Sequence, residues 1–110
     1  MTSVRFTVTR DGFYRAFETE GHAGHGTAGN DIVCAAVSAS TELVITILEQ
    51  FGVDFHLDIR EESARVRCEL ADLDGEKAES AKRVLDGYAS YLAQVSEVYP
   101  HHLKCRMISE

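Results

Sequence analysis

GHAGHGTAGNDIVCAAVSAS, residues 21–40, contains the point where the hydrophobic pattern of this chain changes period. Gly21, Gly24, Gly26 and Gly29 crowd its first half, a density that neither a helix nor a strand interior tolerates. The sequence therefore predicts a mobile loop over 21–30. From Asp31 the pattern turns helical. Ile32, Ala36, Leu43, Ile47 and Phe51 recur at helical spacing and are expected to form the apolar stripe, with Asp31 as N-cap and Gly52 as the C-terminal stop.

Working outward, the flanks read as strands. Val4, Phe6 and Val8 alternate with Arg5, Thr7 and Thr9, and Asp11-Gly12 is a hairpin turn signal with residues 13–20 as the return strand. Beyond Gly52, Val53, Phe55, Leu57 and Ile59 alternate. After a turn near Glu62-Ser63, so do Val66, Cys68 and Leu70. A second helix carries Ala78, Ala81, Leu85, Tyr88, Leu92 and Val95 on one stripe. Pro100 ends it, and residues 101–108 suit a last strand. The order is ββαββαβ. The expected fold is a single α+β domain over residues 1–110, two helices packed on an antiparallel or mixed sheet.

Composition narrows the function classes. The chain has 110 residues, room for one domain, and its 45% hydrophobic content can supply a core. Its formal charge of −7, without a visible basic patch, argues against direct nucleic-acid binding and for a basic protein or peptide partner. MTSVRFTVTR lacks the apolar core of a signal peptide, and no stretch is expected to approach the roughly 20 apolar residues that a membrane span needs. The three cysteines make no disulfide framework. The expected location is the cytoplasm, with reduced thiols.

Chemistry concentrates at the loop-to-helix junction. A thiol attacks as thiolate, and a helix N-terminus or a neighbouring imidazolium favours that form. With Asp31 as N-cap, Cys34 falls in the first helical turn, and His22 at the far side of the loop can fold back over it as general base. The amides of Gly21, Ala23, Gly24 and Gly29 are candidates for oxyanion or substrate contacts. Each residue also has a plainer role. A cysteine in an apolar helix is most often a packed thiol. Asp31 is most simply a cap, and Ser38, one turn beyond Cys34, can bond back to the Cys34 carbonyl. Cys68 and Cys105 alternate in phase with apolar neighbours and are expected to be packing thiols.

Gly21-His22-Ala23, a loop containing Gly29, and the run Asp31-Ile32-Val33-Cys34-Ala35-Ala36-Val37-Ser38 together resemble the signature of the ribosomal-processing cysteine protease family, Prp. The preceding hairpin and Tyr99-Pro100 before the last strand fit the same layout. The resemblance implies a catalytic dyad of His22 and Cys34, with Asp31 and Ser38 in support and no metal or other cofactor. It implies removal of an N-terminal extension from a large-subunit ribosomal protein, protein twenty-seven, by a homodimeric enzyme. His25 stands where the family is expected to carry an aromatic.

Two other classes fit parts of the same pattern. His22, His25 and Cys34 give a His-x-x-His followed by a Cys, as does a zinc site, and His101, His102 and Cys105 form a second group. A non-catalytic, ribosome-associated binding module of the same fold is the third class.

Overall fold

A computed structural model describes the backbone of residues 1–21 and 28–110, and the side chains of residues 1–21 and 32–110. The elements are β1 (Thr2–Val8), β2 (Tyr14–Glu20), α1 (Ala28–Gln50), β3 (Phe55–Arg60), β4 (Arg65–Leu70), α2 (Gly75–Val98) and β5 (Leu103–Ser109). This is the expected ββαββαβ order. The strands form one mixed sheet, β3-β4-β2-β1-β5. The β1–β2, β2–β4 and β3–β4 pairs are antiparallel, and β5 runs parallel to β1, Thr2 opposite Leu103.

Local chemistry accounts for the element ends. Gly12, at φ +88°, turns the first hairpin, its N–H donating to the Thr9 carbonyl. Gly52, at φ +70°, stops α1 as the sequence indicates, and the next N–H, of Val53, donates back to the Leu48 carbonyl. Pro100 follows the α2 cap at Tyr99.

The register divides the sheet into two faces. Val4, Phe6, Phe17, Cys68, Leu70 and Leu103 meet Val33, Val37, Val44 and Leu48 of α1 and Ala81, Leu85, Tyr88 and Leu92 of α2 in one core. Phe6 and Phe17 both set their rings edge-on to Tyr88, centroids 5.6 and 5.3 Å apart. On the opposite face lie Arg5, Glu18 and Arg65, where the buried Glu18 carboxylate accepts from both guanidinium groups.

Two expectations are corrected here. The buried stripe of α1 is Val33, Val37, Thr41, Val44 and Leu48, whereas Ile32, Leu43 and Phe51 are 51%, 59% and 58% exposed. Both sides of this helix are apolar, and the core side contains a threonine whose polarity is met internally. The Thr41 hydroxyl lies 2.6 Å from the Val37 carbonyl and 2.6 Å from the Tyr88 hydroxyl. Ile32–Gln50 is also long and apolar enough, by length and composition, to cross a membrane. Its place in this fold is on the sheet, where four of its aliphatic side chains enter the core.

Candidate active site

Cys34 sits near one end of the sheet, where the start of β1, the end of β2 and the β3–β4 turn approach α1. With Thr2, Thr19, Glu20, Gly21, Val37, Ser38 and Ala64 it lines an open cavity of about 160 Å³. The cavity shares Thr19, Val37, Ser38 and Ala64 with a groove of about 410 Å³ running along α1, past Ile45 and Ile59, with Glu42, Glu61 and Arg65 on its walls. Through these four residues the cavity and the groove adjoin.

Each wall has a local cause. Thr2 is in phase with Val4 and Phe6, so its side chain points to the helix side of the sheet, and its N–H donates to the His102 carbonyl at 2.9 Å. Its hydroxyl oxygen stands 3.6 Å from Cys34 Sγ. Ala64 closes the β3–β4 turn with φ +50°, a strained angle for a residue with a Cβ. Its carbonyl accepts from the Gly21 N–H at 3.3 Å. That bond ties the end of β2 to the turn and places Gly21 against Thr2.

The thiols separate by environment. Cys68 is 0% exposed, and burial pushes its thiol up to about 12. Burial also raises Cys105, which packs against the core beside β1. Both are packing thiols, as their strand phases indicate. Cys34, partly exposed, faces the cavity.

The helix start differs from expectation. α1 begins at Ala28, so Asp31 is its fourth residue rather than its N-cap, and Gly29 belongs to the first turn instead of a loop. Cys34 is then the seventh helical residue, beyond the reach of a helix-terminus effect that fades within one turn. The Gly21 amide, bonded to Ala64, is engaged rather than offered to an oxyanion. Ser38 lines the cavity one turn beyond Cys34. His22, Ala23, Gly24 and His25, with the predicted mobility of this segment, lie outside the described residues, as does the Asp31 side chain. Among the described residues no group of three or more His, Cys, Asp or Glu is placed to hold a metal; the His22–His25–Cys34 grouping falls outside them.

Thr2 and Ala64 went unnoticed in the sequence. Thr2 had a signal, since the β1 alternation extends back one step from Val4. Ala64 had none, because its approach to Gly21 is non-local.

A family model for the cysteine protease Prp matches residues 1–104. The chain belongs to this family. It is accordingly a cysteine protease. No curated protein sequence matches it. Solved structures share its fold. The S. aureus ribosomal processing protease Prp in complex with a substrate peptide superposes with a TM-score of 0.87 at 21% identity, covering 97% of this chain and 99% of that one. The same S. aureus protease with a covalently linked product peptide gives 0.83 at 22%, with the same coverage. A Streptococcus mutans protein gives 0.88 at 23%, covering 100% of this chain and 96% of its own.

Proposed function

We propose that this protease removes the N-terminal extension of a large-subunit ribosomal protein, protein twenty-seven, with Cys34 as nucleophile and His22 as general base. The observation that carries the proposal is the placement of Cys34. Its thiol lines a cavity that adjoins a longer groove along α1, whereas Cys68 is buried in the core and the partly buried Cys105 packs against it. The S. aureus relative, a ribosomal processing protease bound to a substrate peptide, supplies the substrate class.

In the proposed reaction His22 takes the Sγ proton as sulfur attacks the scissile carbonyl. The tetrahedral oxyanion is met by backbone amides, for which Ala23, Gly24 and Gly29 remain the candidates. The imidazolium returns the proton to the leaving amine. Water then hydrolyses the thioester, releasing the extension and restoring the thiol. Because Cys34 lies beyond the first turn of α1, the imidazole is the main source of its activation.

The groove suits a partly apolar segment that carries charges: Ile45 and Ile59 offer apolar wall, and Glu42 and Glu61 stand beside Arg60 and Arg65, two charges of each sign. The exposed Ile32, Leu43 and Phe51 of α1 support a homodimer in which a second copy covers them. That none of the three cysteines is in a disulfide accords with action in the cytoplasm.

The test is incubation with the precursor ribosomal protein and intact-mass measurement of the products. Two fragments whose masses sum to the precursor plus one water are expected, the smaller being the N-terminal extension. An uncleaved precursor beside efficient cleavage of unrelated proteins would overturn the substrate assignment.

A further inference from the structure

We propose that Thr2 is a positioning residue for Cys34: its hydroxyl holds Sγ and stabilises the thiolate, and Gly21 lacks a side chain so that this hydroxyl can occupy its place. The inference rests on Cys34 being the nucleophile, and adds a partner delivered by a strand.

The geometry is specific. Thr2 is 4% exposed, and its oxygen is 3.6 Å from Cys34 Sγ. A buried hydroxyl requires a partner, and Asp72 Oδ2 alone among the described buried side-chain oxygens and nitrogens lacks one. A thiol and a hydroxyl can each donate to the other, whereas a thiolate can only accept. Ionisation of Cys34 therefore makes Thr2 the donor and converts a weak contact into a charge-assisted one.

Thr2 is also preorganised. Its N–H is fixed to the His102 carbonyl, and β1 is hydrogen-bonded on both sides. Gly21 completes the arrangement. A Cβ there would lie 2.8 Å from Thr2 Oγ1, 3.2 Å from Cγ2 and 3.3 Å from Cβ. The φ of Gly21 is not in the left-handed region, so alanine is excluded by space rather than by backbone angle. Among the described residues, the charged groups that line this cavity and the adjoining groove come from β2, α1 and the β3–β4 hairpin. Glu20 of β2 lines the cavity and opposes a thiolate, while Glu42, Arg60, Glu61 and Arg65 lie farther along the groove.

The experiment follows iodoacetamide modification of each cysteine by peptide mass from about pH 6 to about pH 10, spanning ordinary thiol titration. Thr2→Val, which keeps the shape and removes the hydroxyl, should slow modification of Cys34 about tenfold near neutral pH. The rates should converge with wild type at the alkaline end. Thr2→Ser should restore the wild-type profile. Gly21→Ala should reproduce the Thr2→Val profile in the wild-type chain, yet change little further when added to Thr2→Ala, where the two nearest obstructed atoms, Oγ1 and Cγ2, are gone and only Cβ, at 3.3 Å, remains. Continued protection of Cys68 reports that each variant is folded. A Thr2→Val profile superimposable on wild type, with Cys68 protected, would overturn the proposal. If Thr2→Val unfolds, equal effects of Gly21→Ala with and without Thr2 would do so. Undiminished cleavage by Cys34→Ala would overturn the nucleophile assignment instead, and leaves these rates untouched.

Discussion

Thr41→Val should destabilise the protein although it replaces a hydroxyl by a methyl in an apolar core. Thr41 has one hydroxyl proton, and the geometry directs it to the Val37 carbonyl at 2.6 Å. The 2.6 Å contact with Tyr88 therefore runs from the Tyr88 O–H to the Thr41 oxygen. Burial pushes the Tyr88 phenol up to about 12, so that proton is in place at any ordinary pH. Valine keeps the volume but leaves a buried phenol without its acceptor, which costs about 2 kcal/mol. Unfolding entropy of about 2.1 cal/mol/K per residue, over 110 residues, converts this to a drop in Tm of roughly 9 °C. Tyr88→Phe should cost about 1 kcal/mol, since Thr41 keeps its bond to Val37. The double variant should cost less than the sum, by about 1 kcal/mol. Thermal and urea unfolding followed by circular dichroism give these values. Thr41→Val as stable as wild type, or strict additivity in the cycle, would refute the reasoning. Thr41 lies two turns from Cys34 along α1, among the residues that dock this helix on the core.

Other outcomes follow from the same structure. Burial pushes the Glu18 carboxyl up, but hydrogen bonds from Arg65 and Arg5 outweigh this and hold it below the usual range. Its contribution is thus present above the ordinary carboxylate range and is lost as pH falls through the lowered value. Glu18→Gln should cost about 2 kcal/mol at neutral pH and flatten the acid limb of the stability profile; parallel profiles would contradict this. Alkylation of the native protein near neutral pH should mark Cys34 first, Cys105 more slowly and Cys68 only on unfolding, with peptide mass as the readout; early labelling of Cys68 would contradict its burial. Leu43→Glu, on the exposed stripe of α1, should shift the proposed dimer to monomer in sedimentation while leaving Tm within a few degrees. An unchanged sedimentation coefficient would remove α1 from the interface.

Much of this fold was legible because most elements have one apolar side. Ala78, Ala81, Leu85, Tyr88 and Leu92 of α2 are buried as their spacing indicates, and the alternation in β1 and β4 sorts their faces correctly. α1 misled because Ile32, Leu43 and Phe51 make as good a stripe as Val33, Val37, Val44 and Leu48, and Thr41 disguises the buried one. Its start misled because Ala28-Gly29-Asn30 includes two poor helix formers that read as loop. At the site, the nucleophile candidate was visible from residue type and pattern. Its contact with Thr2 was not, since that depends on β1 lying beside β2 with Gly21 at the end of the pair.

The central claim is that Cys34 attacks the peptide bond and His22 serves it as base. The most direct measurement is single-turnover cleavage of the precursor ribosomal protein by wild type, Cys34→Ala and His22→Ala, each quantified by intact mass. Loss of all cleavage in Cys34→Ala, and a rate lower by orders of magnitude in His22→Ala, with both variants folded, are the predicted results. Cleavage by Cys34→Ala at the wild-type rate would contradict the account.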